Sequence, residues 1–170
     1  MTSLLTFLSS LLIVASFPPW DFRMTAWICL VPWLFAVQSA KNPRHALKLG
    51  FALSFLMNLG GLYWVGFVLH EHGGLPWGLA IIGLLLFALF GQLQFPLFAW
   101  VLAQFSNSSA FSEKRPTLRL LTLATVYTAI DWAVPKLFRD TLGHSQYLAI
   151  WFRQGADLGG FRAVHPVDRR

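Results

Sequence analysis

The sequence predicts an all-α fold, a polytopic bundle of about five helices that cross a lipid bilayer. Hydrophobic residues make up 56% of the chain and charged residues only 12%, and the mean hydropathy is +0.57. The apolar residues form blocks that approach or exceed the roughly 20 residues that a helix needs to cross the hydrocarbon core. A soluble domain of 170 residues could not bury all these blocks, because its surface would have to be mostly polar.

Prolines and short polar loops divide the chain into its predicted helices, since proline is favoured at helix starts and stops and disrupts helix interiors. The five predicted spans are residues 3–17, 24–37, 49–69, 75–104 and 117–134. The fourth is too long to stand upright in a bilayer, so it must tilt, kink or protrude. We expect the kink near Gln92, because Pro96 removes the hydrogen bond that the Gln92 carbonyl would otherwise accept.

The charges of the loops predict the orientation of the bundle. The loops after the second and fourth predicted spans are basic, with Lys41, Arg44 and Lys48 in one and Lys114 and Arg115 in the other. Short basic loops stay in the cytoplasm, which places the N-terminus inside and loop 70–74, which has no Lys or Arg, outside. The six Lys and Arg residues after the fifth span oppose this orientation, but the rule holds best for short loops flanked by spans.

Other classes of partner are not predicted. The net charge of +6 is spread over loops, so we expect no nucleic-acid partner. His70, Glu71 and His72 invite comparison with a metal site, but no further ligand stands at a recognisable spacing. We therefore expect a polar outer loop there, no metal and no cofactor. Cys29 is the single cysteine, so it cannot form an intrachain disulfide. We expect its side chain to be buried and to pack as a small hydrophobic group.

Polar residues at membrane depth are candidates for function, each with a structural alternative. Gln92 and Gln94 interrupt the fourth span, and we expect them to hydrogen-bond across helices. Asp131 lies near the outer end of the fifth span. It is either a functional carboxylate or an interfacial one that pairs with Lys136, and the sequence leaves both open.

The segment Gly-Gly-Leu-Tyr-Trp at 60–64 stands inside the third predicted span. Paired glycines let another helix or an acyl chain approach the backbone closely, and the two aromatic residues would present polar tips in an apolar cleft. This arrangement suits a lipid substrate, although it serves helix packing equally well. We predict no catalytic residue. The candidates for lipid or lipoprotein contact on the outer side are Tyr63, Trp64, His70, Glu71 and Asp131.

Several short passages occur in an order and spacing that resemble one protein family. They are Ala-Ser-Phe-Pro-Pro-Trp-Asp at 15–21, Leu-Val-Pro-Trp-Leu at 30–34, Asn-Leu-Gly-Gly-Leu-Tyr-Trp-Val at 58–65, Gly-Gly-Leu-Pro at 73–76, Ala-Ile-Asp-Trp at 129–132 and Leu-Gly-His-Ser-Gln at 142–146. In these passages the chain is similar to the membrane part of apolipoprotein N-acyltransferase, a bacterial inner-membrane enzyme of lipoprotein maturation. The resemblance covers about residues 5–160.

The resemblance implies an acyl transfer from a membrane phospholipid to the free α-amino group of an S-diacylglyceryl cysteine on an apolipoprotein. The family uses a cysteine thioester, a glutamate base and a lysine that supports the oxyanion, which replaces one hard step by two easier ones. These three residues belong to a nitrilase-like domain that the chain does not reach. Cys29 matches no part of that domain, so no catalytic role is carried over to it.

Two passages depart from the family pattern. An aromatic-rich turn of the family is replaced by Phe-Arg-Asp-Thr at 138–141, and residues 161–170 carry too many charges to continue a span. We therefore predict a membrane domain over residues 1–160, an atypical polar tail over 161–170, and a truncated product that is inactive alone or needs a partner chain.

An alternative function comes from another class. The chain could be a small non-enzymatic membrane protein, such as a transporter subunit or an assembly factor. Asp131, Gln92 and Gln94 would then form a polar path through the bilayer. Transporters tend to be built from internal repeats with broken helices at matching positions, and the sequence shows no such repeat, which disfavours this alternative.

Overall fold

The fold was obtained as a computed structural model, which describes residues 1–105, 116–136 and 142–146. Within these ranges the chain forms helices and turns and no strand, so the predicted all-α class is confirmed. The helices are α1 Thr2–Ser16, α2 Val31–Gln38, α3 Pro43–Gly61, α4 Trp64–Glu71, α5 Trp77–Phe90, α6 Gln94–Phe105 and α7 Pro116–Ala133, with 3₁₀-helices at Arg23–Trp27 and Leu142–Gln146. The predicted tail, residues 161–170, and the departure at 138–141 lie outside the described residues.

The second predicted span is interrupted and is not one continuous α-helix. Residues Arg23–Trp27 form a 3₁₀-helix, a turn follows, and α2 begins only at Val31. Pro32 explains the break, because its ring would clash with the carbonyl four residues earlier in a continuing helix. Proline is well accommodated in a first turn, where its missing N–H costs no hydrogen bond.

The third predicted span is also divided. The helix starts earlier than predicted, at Pro43, where the Asn42 side-chain oxygen accepts a hydrogen bond from the His45 backbone N–H at 2.8 Å. It stops at Gly61, and α4 leaves at an angle of 60°. Two successive glycines at Gly60 and Gly61 lower the helix propensity where the helix ends.

The kink predicted in the fourth span is confirmed. Helices α5 and α6 are separated by a turn at residues 91–93, which contains Gln92, the residue whose carbonyl loses its helical donor because Pro96 has no N–H. Helix α7 agrees with the predicted fifth span to within one residue at each end.

Few of these helices reach the length of a full bilayer crossing. By length and composition, Trp77–Phe105 could cross a membrane, and the bent pair α3–α4 could supply a second crossing. The apolar helical segments Thr2–Ser16 and Arg23–Gln38 are shorter.

Helix α3 occupies the centre of the bundle and packs against α1, α2, α5 and α6. At Gly50 the backbones of α3 and α6 meet, since a Cβ atom there would lie 2.4 Å from the Pro96 Cα. Close approach of this kind needs a residue without a side chain.

The buried side chain of Trp33 connects α2 to the same region. Its Nε1 donates to the Leu49 carbonyl at 3.2 Å, and its ring packs edge-on against Phe95 and stacks on Phe98. Its backbone N–H, one of the unpaired donors of the first turn of α2, donates to the Ser9 hydroxyl at 2.8 Å. One residue therefore joins α1, α2, α3 and α6.

Replacing Gly50 by alanine is predicted to destabilise the bundle. The new methyl group would overlap the Pro96 backbone, which cannot give way as a flexible side chain can, so we expect a loss of about 1–3 kcal/mol. Thermal unfolding of the detergent-purified protein measures this effect. Gly61→Ala on the same helix is the matched control, because no atom lies within 4 Å of that Cβ position. Equal midpoints for the two variants would contradict the prediction.

Candidate functional site

The bend between α3 and α4 places Tyr63 and Trp64 at the surface. Tyr63 is 64% exposed and Trp64 is 44% exposed. A Cβ on Gly60 would meet the Val14 side chain of α1 at 3.0 Å, whereas one on Gly61 would meet nothing within 4 Å. Gly60 therefore admits a neighbouring helix, as expected for helix packing, whereas the Cβ position of Gly61 faces open space.

His70 and Glu71 belong to the last turn of α4, so their predicted placement in a loop is wrong. The His70 Nδ1 lies 2.7 Å from the Leu75 carbonyl, and a carbonyl only accepts, so Nδ1 carries the proton. The imidazole also stacks on the Trp77 ring, with centroids 4.2 Å apart, and its Nε2 lies 3.8 Å from the Glu71 carboxylate. These contacts hold the end of α4 against the start of α5.

Asp131 near the end of α7 is engaged by a cation. The Lys136 ammonium donates to its carboxylate at 2.5 Å, with the lysine side chain 6% exposed and the aspartate side chain 21% exposed. The structure thus contains the ion pair that the sequence offered as one of two alternatives. A carboxylate that is paired with a lysine ammonium in this way is poorly suited to line a polar path through the bilayer.

Gln92 and Gln94 hydrogen-bond to each other, Gln94 Nε2 donating to Gln92 Oε1, rather than across helices as predicted. The inter-helix bond comes instead from Asn58 of α3, which donates to the Ala88 carbonyl of α5 at 3.2 Å. Sequence reasoning missed Asn58, although a signal existed. Gly50, Ser54 and Asn58 are spaced four residues apart and form a small and polar stripe along one face of α3.

Three buried oxygen atoms in this region have no hydrogen-bond partner among the described residues. They are Ser54 Oγ, Asn58 Oδ1 and Gln94 Oε1. Unpaired buried acceptors cost free energy and are uncommon. This polar interior is the most unusual chemical feature of the described chain.

Cys29 is fully buried, and its thiol donates to the Ala26 carbonyl at 3.2 Å, as expected for a small buried hydrophobe. An inaccessible thiol cannot attack an acyl ester of a lipid. Across residues 1–105, 116–136 and 142–146, no three residues of the types His, Cys, Asp and Glu are grouped in a way that could hold a metal ion.

The passage at 142–146 contacts a segment that is distant in sequence. The Gln146 side chain donates to the Arg23 carbonyl at 3.0 Å, which ties the 3₁₀-helix Leu142–Gln146 to the 3₁₀-helix Arg23–Trp27. The buried Ser145 hydroxyl closes its own turn by donating to the Leu142 carbonyl at 2.7 Å. The segment at 142–146 therefore packs beside the turn that follows α1.

An all-helical, strongly apolar domain with this set of passages resembles the N-terminal part of an acyltransferase. Residues 9–166 match the family model described as the apolipoprotein N-acyltransferase N-terminal domain. The chain belongs to this family.

Curated relatives agree with this family. The chain is 28% identical over 160 residues to an apolipoprotein N-acyltransferase of Bdellovibrio bacteriovorus, a match that covers 89% of this chain and 27% of the relative. It is 27% identical over 161 residues to the apolipoprotein N-acyltransferase of Geobacter metallireducens, covering 92% of this chain and 29% of the relative. The chain thus spans less than a third of the length of these relatives.

Removing the cation beside Asp131 is predicted to destabilise α7. Lys136→Met leaves a partly buried carboxylate without its charged donor, so we expect a loss of about 1.5–3 kcal/mol. Thermal unfolding in detergent measures it, with Lys48→Met as the control, because Lys48 is exposed. The exchange Asp131→Lys with Lys136→Asp should restore part of the loss. An unchanged midpoint for Lys136→Met would show that the pair contributes nothing.

Proposed function

We propose that this chain is the membrane-embedded N-terminal part of a phospholipid-to-apolipoprotein N-acyltransferase in the bacterial inner membrane. The observation that carries the proposal is the family match over residues 9–166. In the proposed reaction a fatty acyl chain moves from a membrane phospholipid to the free α-amino group of an S-diacylglyceryl cysteine. The apolipoprotein that carries this cysteine and the phospholipid are the proposed partners.

The surface of α5 supports the proposal that the chain is embedded in a membrane. This helix is apolar along its whole length, yet only Ala80 and Ala88 are buried against the rest of the protein. Most of its large side chains are exposed: Trp77, Leu79, Ile81, Ile82, Leu85, Leu86, Leu89 and Phe90. Exposed apolar area on this scale marks a surface that a lipid phase or another protein covers, and a helix that is apolar all round is typical of a membrane span.

The proposal has five crossings, made from α1, the segment Arg23–Gln38, the bent pair α3–α4, the broken helix Trp77–Phe105, and α7. At about 1.5 Å per residue, α1 is about 22 Å long and α3 about 28 Å. Helices shorter than the roughly 30 Å hydrocarbon core are accommodated by local thinning of the bilayer or by polar residues that reach the interface.

The proposed orientation places the N-terminus in the cytoplasm. Lys41, Arg44, His45 and Lys48 line an open cleft of about 420 Å³ at the start of α3, and short basic segments of this kind remain on the cytoplasmic side. The corner between α4 and α5 then lies on the outer side.

On that outer side we propose that Tyr63, Trp64, His70, Glu71 and Asp131 contact the lipid or the lipoprotein. The exposed aromatic pair beside Gly61 offers flat apolar surface with polar tips, which suits an acyl chain near its head group. His70 and Glu71 lie at the other end of α4, and Asp131 lies on α7.

The catalytic groups of the acyl transfer are proposed to lie outside residues 1–170. Formation of an acyl thioester needs an accessible thiolate, and Cys29, the one cysteine of the sequence, is fully buried. We therefore propose that residues 1–170 alone are inactive and that a nitrilase-like domain supplies the nucleophile. The polar path of the alternative, a transporter subunit, is disfavoured because Asp131 is paired with Lys136.

Complementation tests whether residues 1–170 need a separate catalytic domain for activity. In a strain depleted of its own N-acyltransferase, residues 1–170 alone should not restore growth, whereas the same residues fused to a relative's catalytic domain should. The strain should grow more slowly when the fusion carries Tyr63→Ala and Trp64→Ala than when it carries neither. Phe7→Ala, at an exposed residue of α1, is the control. Growth with residues 1–170 alone would overturn the claim that they lack the chemistry. A membrane-inserted fusion that fails to support growth would overturn the family role.

Cysteine labelling tests the orientation. In a Cys29→Ser background, His72→Cys should react with a membrane-impermeant maleimide on intact spheroplasts, and Lys41→Cys should react only after permeabilisation. Both positions are exposed, so access to the reagent depends on the side of the membrane. The reverse pattern would invert the proposed topology.

A further inference from the structure

A small cavity lies where α7 meets the break between α5 and α6. Its volume is about 20 Å³. It is lined by residues from α3, the break, α6, α7, the end of α1 and the last 3₁₀-helix: Met57, Gln92, Gln94, Phe95, Tyr127, Phe17 and Leu142. A water needs roughly 10–15 Å³ of such space and two to four polar partners, so the cavity has room for one.

The polar groups at this cavity match the requirements of a water. Gln94 Oε1 is buried and accepts no hydrogen bond from the described residues, so it needs a donor. Gln92 is buried beside it and holds the Gln94 amide by a hydrogen bond. Tyr127 brings a phenolic hydroxyl, which both donates and accepts. The other side chains that line the cavity are apolar.

Tyr127 connects this cavity to the packing of α7 against the core. No residue of α7 is fully buried, and the helix contacts the core through Leu123, Val126, Tyr127 and Ile130. Among these four, Tyr127 alone carries a polar group. Its ring packs edge-on against Phe98 at 5.3 Å and lies 6.1 Å from Phe95, which fixes the side chain against α6.

We propose that one water molecule occupies this cavity and bridges Gln94 Oε1 and the Tyr127 hydroxyl, linking α7 to the break between α5 and α6. The water donates to the unpaired amide oxygen, which would otherwise lack any donor in an apolar interior. Ser54 and Asn58 do not line the cavity, so the bridge does not serve their oxygen atoms. This inference depends on the fold and not on the proposed enzymatic role.

Radiolytic hydroxyl-radical labelling of the detergent-purified chain tests the site, because radicals form from bound water and oxidise adjacent side chains. Met57 lines the cavity, and the exposed Met24 is the internal reference. We expect Met57 to be oxidised in the unmodified protein and its oxidation to fall severalfold in Gln94→Leu and in Tyr127→Phe. Gln104→Leu, at an exposed glutamine of α6, should leave it unchanged. Met57 oxidation that is absent, or equal in all four proteins, would overturn the proposal.

A double-mutant cycle guards against a variant that merely disturbs packing. Two side chains that share one water should show non-additive losses of thermal stability, because the first substitution already removes the bridge. The losses from Gln94→Leu and Tyr127→Phe should therefore sum to more than the loss in the double variant. Additive losses would overturn the bridge even if labelling of Met57 changed.

Discussion

The backbone contact between Gly50 of α3 and Pro96 of α6 is the constraint on which the rest of the bundle depends. With a Cβ position 2.4 Å from the Pro96 Cα, the two helices are as close as their main chains allow. This proximity sets α3 in the centre and brings Leu49, one residue away, to the Trp33 indole. It also orients the polar face of α3 toward α5, where Asn58 reaches the Ala88 carbonyl.

Within the described residues, three of the predicted spans are interrupted, and the surroundings of each interruption differ. Before α2, the donor at Trp33 is satisfied by Ser9 of another helix. At the end of α3, a pair of glycines lets the chain turn by 60°. Between α5 and α6, Pro96 frees the Gln92 carbonyl, and the buried Gln92 and Gln94 side chains hydrogen-bond to each other. In an apolar medium every freed backbone group needs such a partner, so broken helices and buried polar side chains occur together.

The residues that looked most chemical in the sequence turn out to have structural partners. His70 is fixed by the Leu75 carbonyl and by Trp77, Asp131 is fixed by Lys136, and Cys29 is enclosed. By contrast, the Tyr63 and Trp64 side chains at the bend after α3 are exposed.

The sequence by itself determined the all-helical class, the break near Gln92 and the bounds of α7, because apolar composition and proline geometry act locally. The family followed from the order and spacing of short passages that resemble it. It did not reveal the break before α2 or the bend after α3, since short apolar runs look continuous until the packing of neighbours makes an interruption tolerable. Only the tertiary structure decided which partner each polar group found, as with Asn58, Ser9 and the two glutamines. A hydrogen-bond partner on another helix depends on which helix faces meet, and that is a property of the packed bundle.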